Sequence, residues 1–91
     1  MPKFVIERDV PGLGNLSQRD LQAMAIKSNR VLDELGPRIQ WLHSYVTGDK
    51  LFCVYIAPNA ELIAEHAKRG SFPVNNIVEV TTMIDPTTAE G

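Results

Sequence analysis

The chain has 91 residues, the length of one small domain. Hydrophobic residues make up 44% and charged residues 22% of the sequence, which excludes a disordered chain. The formal net charge is −2 and the nine Lys and Arg residues are scattered, so the sequence argues against a nucleic-acid-binding surface.

The cysteine content and the N-terminal residues indicate a compartment. Cys53 is the single cysteine, so no internal disulfide can form and a reducing environment is the simpler interpretation. The N-terminus has no apolar stretch typical of a signal peptide, and no segment approaches the ~18 apolar residues of a membrane helix. We therefore expect a soluble cytoplasmic protein with no membrane partner.

The first part of the chain predicts a strand, a loop and a helix. Residues 3–9 are rich in β-forming side chains and predict the strand. Residues 11–15, Pro-Gly-Leu-Gly-Asn, break it and lack the spacing of a phosphate-binding loop. Ser17, with an acidic residue three positions later, is a typical N-cap, and apolar residues at helical spacing predict a helix over 17–35 that Gly36-Pro37 ends.

Residues 39–58 predict a central β-hairpin, because two runs of aromatic and β-branched residues flank a Thr-Gly-Asp-Lys turn. Gly48-Asp49 suits a two-residue type II′ loop. In that register paired residues share a face of the sheet. One face then carries Trp41, His43, Tyr45, Phe52, Val54 and Ile56, and the other carries Leu42, Ser44, Val46, Cys53 and Tyr55. A loop of three or five residues would instead place His43 and Tyr45 on the same side as Cys53 and Tyr55.

The last part of the chain predicts a second helix and a final strand. Asn59 is a suitable N-cap, and the helix is expected to end at Gly70. The final strand is predicted over residues 76–84, before Asp85-Pro86. We expect one domain over residues 1–86 and a loose C-terminal tail over residues 87–91.

The order β-α-β-β-α-β is that of an α+β, ferredoxin-like fold. Two helices should cover one face of a four-stranded antiparallel sheet, while the other face stays open although it carries apolar side chains. Large exposed apolar patches usually mark interaction sites. We therefore expect a homodimer through the open face, of the dimeric α/β-barrel type, with a cavity between the sheets for a small molecule.

Five residues are candidates for a site in such a cavity. Trp41, His43 and Tyr45 are expected on the open face, and Glu7 and Arg8 at the cavity mouth. His43, Tyr45 and Glu7 are the candidate catalytic acids and bases, and Trp41, His43, Tyr45 and Arg8 the candidate ligand-binding residues. The alternative for His43 is a histidine that hydrogen-bonds its neighbours in the dimer interface. The alternative for Glu7 and Arg8 is a solvated strand end with a weak ion pair.

The sequence offers few side chains that could bind a metal ion, and His43 and His66 are only weak candidates. His43 and His66 are the two histidines, and Glu65 next to His66 points about 100° away around its helix. The sequence contains no metal-ligand spacing of the H-x-x-x-H, C-x-x-C or H-E-x-x-H kind. The alternative to a metal ligand at His66 is a structural contact, on the helix surface or between helix and sheet. Cys53 lies in an apolar run and is interpreted as an inert buried thiol.

Several local strings together resemble a bacterial family of small ferredoxin-like proteins, one branch of which is described as nickel-binding. The strings are E-R-D-V-P-G at residues 7–12, W-L-H-S-Y-V at 41–46, F-C-V-Y-I-A-P at 52–58, G-S-F-P at 70–73 and I-V-E-V at 77–80. The resemblance covers about residues 2–85. It implies a dimeric α+β protein with a ligand or a nickel ion near the open face.

The resemblance also implies where a metal would be held. The positions that match the ligands of the nickel-binding branch look like Arg8, Ile56, Ala67 and Phe72. None of these side chains offers the imidazole or oxygen donors that nickel prefers.

Three functions remain open at this point. The first is a non-catalytic dimeric protein that binds a small ligand or a metal ion between its sheets. The second is a small dimeric-barrel enzyme similar to muconolactone isomerases or cofactor-free monooxygenases. The third is a pure association module, since a fold alone does not select a function.

Overall fold

The computed structural model describes residues 1–91 and contains four strands and two α-helices. Their bounds are β1 Lys3–Asp9, α1 Gln18–Leu35, β2 Gln40–Val46, β3 Lys50–Ile56, α2 Ala60–Gly70 and β4 Asn76–Glu79. Short 3-10 helices lie at Leu13–Asn15 and Pro86–Glu90. Neither α-helix is both long enough and apolar enough to cross a membrane.

The four strands form one antiparallel sheet in the order β2-β3-β1-β4. The core lies between this sheet and the two helices, and it is built around Phe4, Ile6, Tyr55 and Ile63. Alternate residues of β1 and β3 are buried, because side chains along a strand point to opposite faces. The predicted α+β ferredoxin-like fold is confirmed.

Both helices begin at the predicted caps. The Ser17 Oγ accepts a hydrogen bond from the Asp20 N–H at 3.1 Å, and the Asp20 carboxylate accepts one from the Ser17 N–H at 3.2 Å. The Asn59 Oδ1 accepts a hydrogen bond from the Leu62 N–H at 2.9 Å. Each cap satisfies N–H groups that have no partner within the helix, so local sequence alone fixes both starting points.

The final strand is shorter than predicted, because its partner ends. β4 pairs with Phe4–Glu7 of β1, and the Val80 N–H donates the last ladder bond to the Lys3 carbonyl. Residues 81–84 therefore lie beyond the start of β1 and are not in a strand. Residues 86–90, which include most of the tail expected over residues 87–91, form a 3-10 helix with no buried residue.

The hairpin has the predicted two-residue loop, and the residue pairs next to this loop have the predicted register. His43 pairs with Val54, and Tyr45 pairs with Phe52. A β-bulge between Trp41 and His43 then shifts the pairing, so that Trp41 lies opposite Tyr55. The prediction that Trp41 pairs with Ile56 on the open face is wrong, because one extra residue in a strand turns the preceding side chains to the other face.

The hairpin turn is not of type II′, since Gly48 lacks the positive φ that this turn requires. Hydrogen bonds with Thr47 and with the loop over residues 11–15 hold the turn. The Thr47 Oγ1 accepts the Lys50 N–H at 2.9 Å, and the Gly14 N–H donates to the Gly48 carbonyl at 2.8 Å. The Gly12 N–H donates to the Asp49 side chain at 3.0 Å. The glycine-rich loop over residues 11–15 is thus a turn, as predicted, and the N–H groups of Gly12 and Gly14 bind the hairpin.

A substitution at Gly14 tests the contact between the loop over residues 11–15 and the hairpin turn. A Cβ built on Gly14 would lie 2.9 Å from the Gly48 Cα, so the backbones would have to separate. We expect Gly14→Ala to lower the free energy of unfolding by about 1–3 kcal/mol in urea denaturation. Gly48→Ala is the matched control, because nothing lies within 4 Å of its Cβ, and it should cost less than about 0.5 kcal/mol. Equal costs for the two variants would contradict the contact.

Candidate functional site

A pocket of about 190 Å³ lies between α1 and the helix-covered face of the sheet. Its α1 wall consists of Leu21, Met24, Ala25 and Ser28, whose spacing of three and four residues puts them on one side of a helix. Its sheet wall includes Val46, Leu51 and Cys53. Val46 is exposed whereas Cys53 is buried, so the pocket runs from the surface into the interior.

The β-bulge in β2 decides which side chains reach this pocket. Trp41 and Ser44 both lie in its wall, and the Trp41 Nε1 donates a hydrogen bond to the Ser44 Oγ at 2.9 Å. This bond satisfies the indole N–H of a half-buried tryptophan. The aromatic ring is left as apolar surface of the pocket.

Arg8 brings a buried positive charge to the pocket wall. The alternation of β1 places it after Phe4 and Ile6 on the helix-covered face, where it is 2% exposed. Its Nη1 donates a hydrogen bond to the Pro73 carbonyl at 2.7 Å, and its Cζ lies 5.5 Å from the Phe72 ring centroid. All four ion pairs of the protein use Lys50 or Arg69, so Arg8 has no carboxylate partner.

His66 lies behind this wall and is fully buried. Its Nε2 is 3.1 Å from the Ser28 Oγ, and its ring centroid lies 5.3 Å from those of Tyr55 and Phe72. Its Nδ1 is the only buried side-chain nitrogen or oxygen without a hydrogen-bond partner. Burial, reinforced by the positive charge of Arg8, lowers the pKa of His66 to about 4, so the imidazole is neutral at neutral pH.

Tyr55 completes the polar part of the site. Its ring is buried and lines the pocket together with Arg8 and Ser28. Burial raises the pKa of the Tyr55 hydroxyl, and Arg8 and Ser28 oppose this rise. The hydroxyl is therefore a neutral hydrogen-bonding group beside a charged one.

The structure separates the residues predicted to share one site. Trp41 and Arg8 line the helix-side pocket, whereas His43 and Tyr45 are exposed on the open face, with ring centroids 5.0 Å apart. The Glu7 carboxylate is paired with Lys50. Because Phe52 pairs with both Glu7 and Tyr45, those two residues are two strand spacings apart, about 10 Å. His43, Tyr45 and Glu7 do not line the pocket between α1 and the sheet.

The side chains do not fit a nickel ion. His43 and His66 lie on opposite faces of the sheet, and no group of three or more His, Cys, Asp or Glu residues is close enough to hold a metal. Of the positions implied by the resemblance, Arg8 and Phe72 meet at the pocket, but they offer a cation and a phenyl ring. A guanidinium at this place repels a divalent cation instead of binding it.

The sequence did not identify Ser28 or Tyr55 as site residues, and it indicated Phe72 only as a position implied by the family resemblance. Ser28 is the one with a readable signal, because it is a polar residue within the apolar stripe of α1. Tyr55 and Phe72 fit an ordinary core, so only their contacts with Arg8 and His66 identify them.

The buried His66 makes stability depend on pH. Its pKa is about 4 in the folded protein and about 6.5 in the unfolded chain, so only the unfolded chain takes up a proton between these values. We expect the free energy of unfolding to fall as the pH drops from about 6.5 to about 4, with His66 contributing about 2–3 kcal/mol to this loss. The check is urea denaturation at several pH values.

Two variants isolate this contribution. His66→Gln should flatten the pH dependence between about pH 6.5 and 4, because the unfolded chain loses the titrating group. Gln22→Ala changes an exposed residue of α1 that does not titrate and should keep the pH dependence of the wild type. The same slope for wild type and His66→Gln would show that His66 is not the group that titrates.

Comparisons with known proteins agree with this fold. The crystal structure of SCO4226 from Streptomyces coelicolor A3(2) matches with a TM-score of 0.76 over 90% of this chain and 99% of that chain. The sequence identity is 14%, so this likeness shows the fold alone.

No curated protein sequence matches the chain. A family profile described as nickel responsive protein SCO4226-like matches residues 4–80, which run from β1 to just past β4. Because this match spans most of the chain, the protein belongs to the SCO4226-like family of nickel responsive proteins.

Proposed function

We propose that this protein is a non-catalytic binding protein whose pocket between α1 and the sheet takes one small, largely apolar ligand. The observation that carries the proposal is the pocket of about 190 Å³ with a mostly apolar wall. An apolar cavity of about 150 Å³ in another protein binds benzene, so this pocket has the size for one substituted ring. A pure association module would not need such a pocket.

The polar groups of the pocket favour binding over catalysis. Ser28 and His66 are at hydrogen-bond distance, which is the start of a nucleophile and base pair. The His66 Nδ1, however, has no carboxylate to orient the ring, and burial lowers the pKa of His66 to about 4, which makes it a weak base. The alternative, an isomerase or monooxygenase built from His43, Tyr45 and Glu7, is weakened because Lys50 already pairs with Glu7.

The family name mentions nickel, and we propose that the ligand of this member is not a nickel ion. The buried Arg8 charge and the absence of a cluster of donor residues both support this. Nickel titration followed by calorimetry is expected to give only weak surface binding. Stoichiometric tight binding of one nickel ion per chain would contradict the proposal.

The pocket can be tested with single-ring probes. We expect benzyl alcohol to shift the amide NMR signals of α1 and β3, because these elements form the pocket walls. Ala25→Leu fills the pocket from α1 and should remove the effect. Ala23→Leu adds the same atoms on the exposed side of α1 and should preserve it. If neither neutral nor anionic single-ring compounds affect the wild type, the binding function is wrong.

A second proposed property is a homodimer through the open face of the sheet. The observation that favours it is the apolar surface that no element of the chain covers, including Tyr45 at 61% and Val78 at 50% exposure. Phe52 and Ile56 lie on the same face and are half-buried. Two such faces packed together would bury these side chains and enclose His43 and Tyr45, where a second small molecule could bind.

Sedimentation tests the dimer. The wild type is expected to sediment at twice the 10.1 kDa chain mass at micromolar concentration. Tyr45→Arg puts a charge on the apolar open face and should give monomers. Gln22→Arg adds the same charge on the exposed side of α1 and should leave the dimer intact. A monomeric wild type would exclude this interface.

A further inference from the structure

We propose that the ligand of the α1 pocket is a small monocarboxylic acid with an apolar body, whose carboxylate binds the guanidinium of Arg8. This inference rests on the proposed binding function and names the chemical class of its ligand. Four observations support it: the missing partner of Arg8, the positive surroundings, the free donors and the apolar wall.

Arg8 is a buried charge without a counterion. It is 2% exposed, and the protein groups that it meets are neutral: its Nη1 donates to the Pro73 carbonyl, and it hydrogen-bonds the Tyr55 hydroxyl, whose pKa burial raises and this contact lowers. Taking an ion out of water costs several kcal/mol unless an opposite charge or a full set of hydrogen bonds compensates. Buried arginines are therefore normally paired. An anion in the adjoining pocket would supply the missing partner.

The surroundings of Arg8 are positive and contain no spare acid. The Lys27 Nζ lies 5.1 Å from the Phe72 ring centroid, and the Arg8 Cζ lies 5.5 Å from it, so two cations share one ring. The nearest acids along β1, Glu7 and Asp9, are both bound by Lys50. A positive region with low-dielectric walls attracts anions.

Glu34 and Glu65, one acid on each helix, likewise lie within ion-pair distance of a basic side chain. Arg69 pairs with Glu65 of α2 at 2.8 Å and reaches Glu34 of α1 at 3.9 Å. His66, the titratable group that packs behind the pocket, is neutral at neutral pH and does not compensate the charge of Arg8. No carboxylate of the protein pairs with Arg8, so none occupies the position that an incoming carboxylate would take.

Arg8 also has more N–H donors than the protein acceptors around it use. A guanidinium carries five N–H groups in a planar fork, and Arg8 uses one nitrogen for Pro73 while it borders the pocket. This fork matches the two oxygens of a carboxylate, and such bidentate pairs are among the strongest hydrogen bonds in proteins. The hydroxyls of Tyr55 and Ser28 line the same part of the pocket as further polar contacts.

The apolar wall distinguishes an organic acid from a plain anion. Leu21, Met24 and Ala25 of α1 face Leu51 and Cys53 of the sheet, and inorganic phosphate would leave these surfaces without contacts. An acid with one ring or a short alkyl chain would bury its apolar part against them. Pocket size limits that part to about the volume of benzene or toluene.

The test compares isosteric probes that differ in charge. Benzoate, benzamide, benzyl alcohol and inorganic phosphate are titrated into the wild type and followed by NMR. We expect benzoate to bind at least about tenfold more tightly than benzamide, because a charge-assisted pair forms only with the carboxylate. Phosphate should give no effect at the pocket.

Variants assign the preference to Arg8. Arg8→Met keeps an unbranched side chain without charge, and the ratio of benzoate to benzamide affinity should fall to about one. Arg30→Met removes an exposed charge from α1 and should leave the ratio unchanged. Without ligand, Arg8→Met is expected to melt no lower than the wild type, since it removes an unpaired buried charge. If Arg8→Met does not fold, Arg8→Lys keeps the charge but loses the fork, and the ratio should fall severalfold.

The outcomes separate the ligand class from the function itself. Equal affinity of the wild type for benzoate and benzamide overturns the carboxylate assignment and leaves the binding function in place. Phosphate binding as tight as that of benzoate also overturns it. An unchanged ratio in both Arg8 variants shows that Arg8 is not the anion ligand. If no compound binds, the proposed function and this inference fail together.

Discussion

The buried guanidinium of Arg8 is the interaction on which the site depends. It is held by the Pro73 carbonyl and lies next to Phe72, and both contacts come from the connector after α2. The charge lies in the interior because β1 alternates strictly, so the residue after Phe4 and Ile6 on that face must point toward the helices. A cation at this place raises the local potential and adds to the effect of burial in lowering the pKa of His66.

The pocket beside Arg8 exists because two local features coincide. One is the apolar stripe of α1, which presents Leu21, Met24 and Ala25 to the sheet. The other is the β-bulge in β2, which turns Trp41 toward the helix while His43 and Tyr45 stay on the open face. A straight β2 would have left Trp41 outside, and the pocket would have lost one of its aromatic walls.

Membership of a family named for nickel response does not fix the chemistry of each member. The family profile matches residues 4–80 and the shared fold is evident, but sequence identity to the structural relative is 14%. Over such a distance a scaffold can keep its packing while its site changes. Here an arginine and three residues with hydroxyl groups line an otherwise apolar pocket, and a neutral histidine packs behind its wall, a set that suits an organic anion better than a metal.

The sequence by itself determined the element order, both helix N-caps and the two-residue hairpin loop, because caps and turns depend on residues a few positions apart. It also placed His43 and Tyr45 correctly on the open face. Only the tertiary structure decided the bulge at Trp41, the early end of β4 and the burial of Arg8 against Pro73 and Phe72. These features depend on distant partners, such as Pro73 for Arg8 and Lys3 for Val80, and no local pattern encodes which partner a strand or a buried charge will meet.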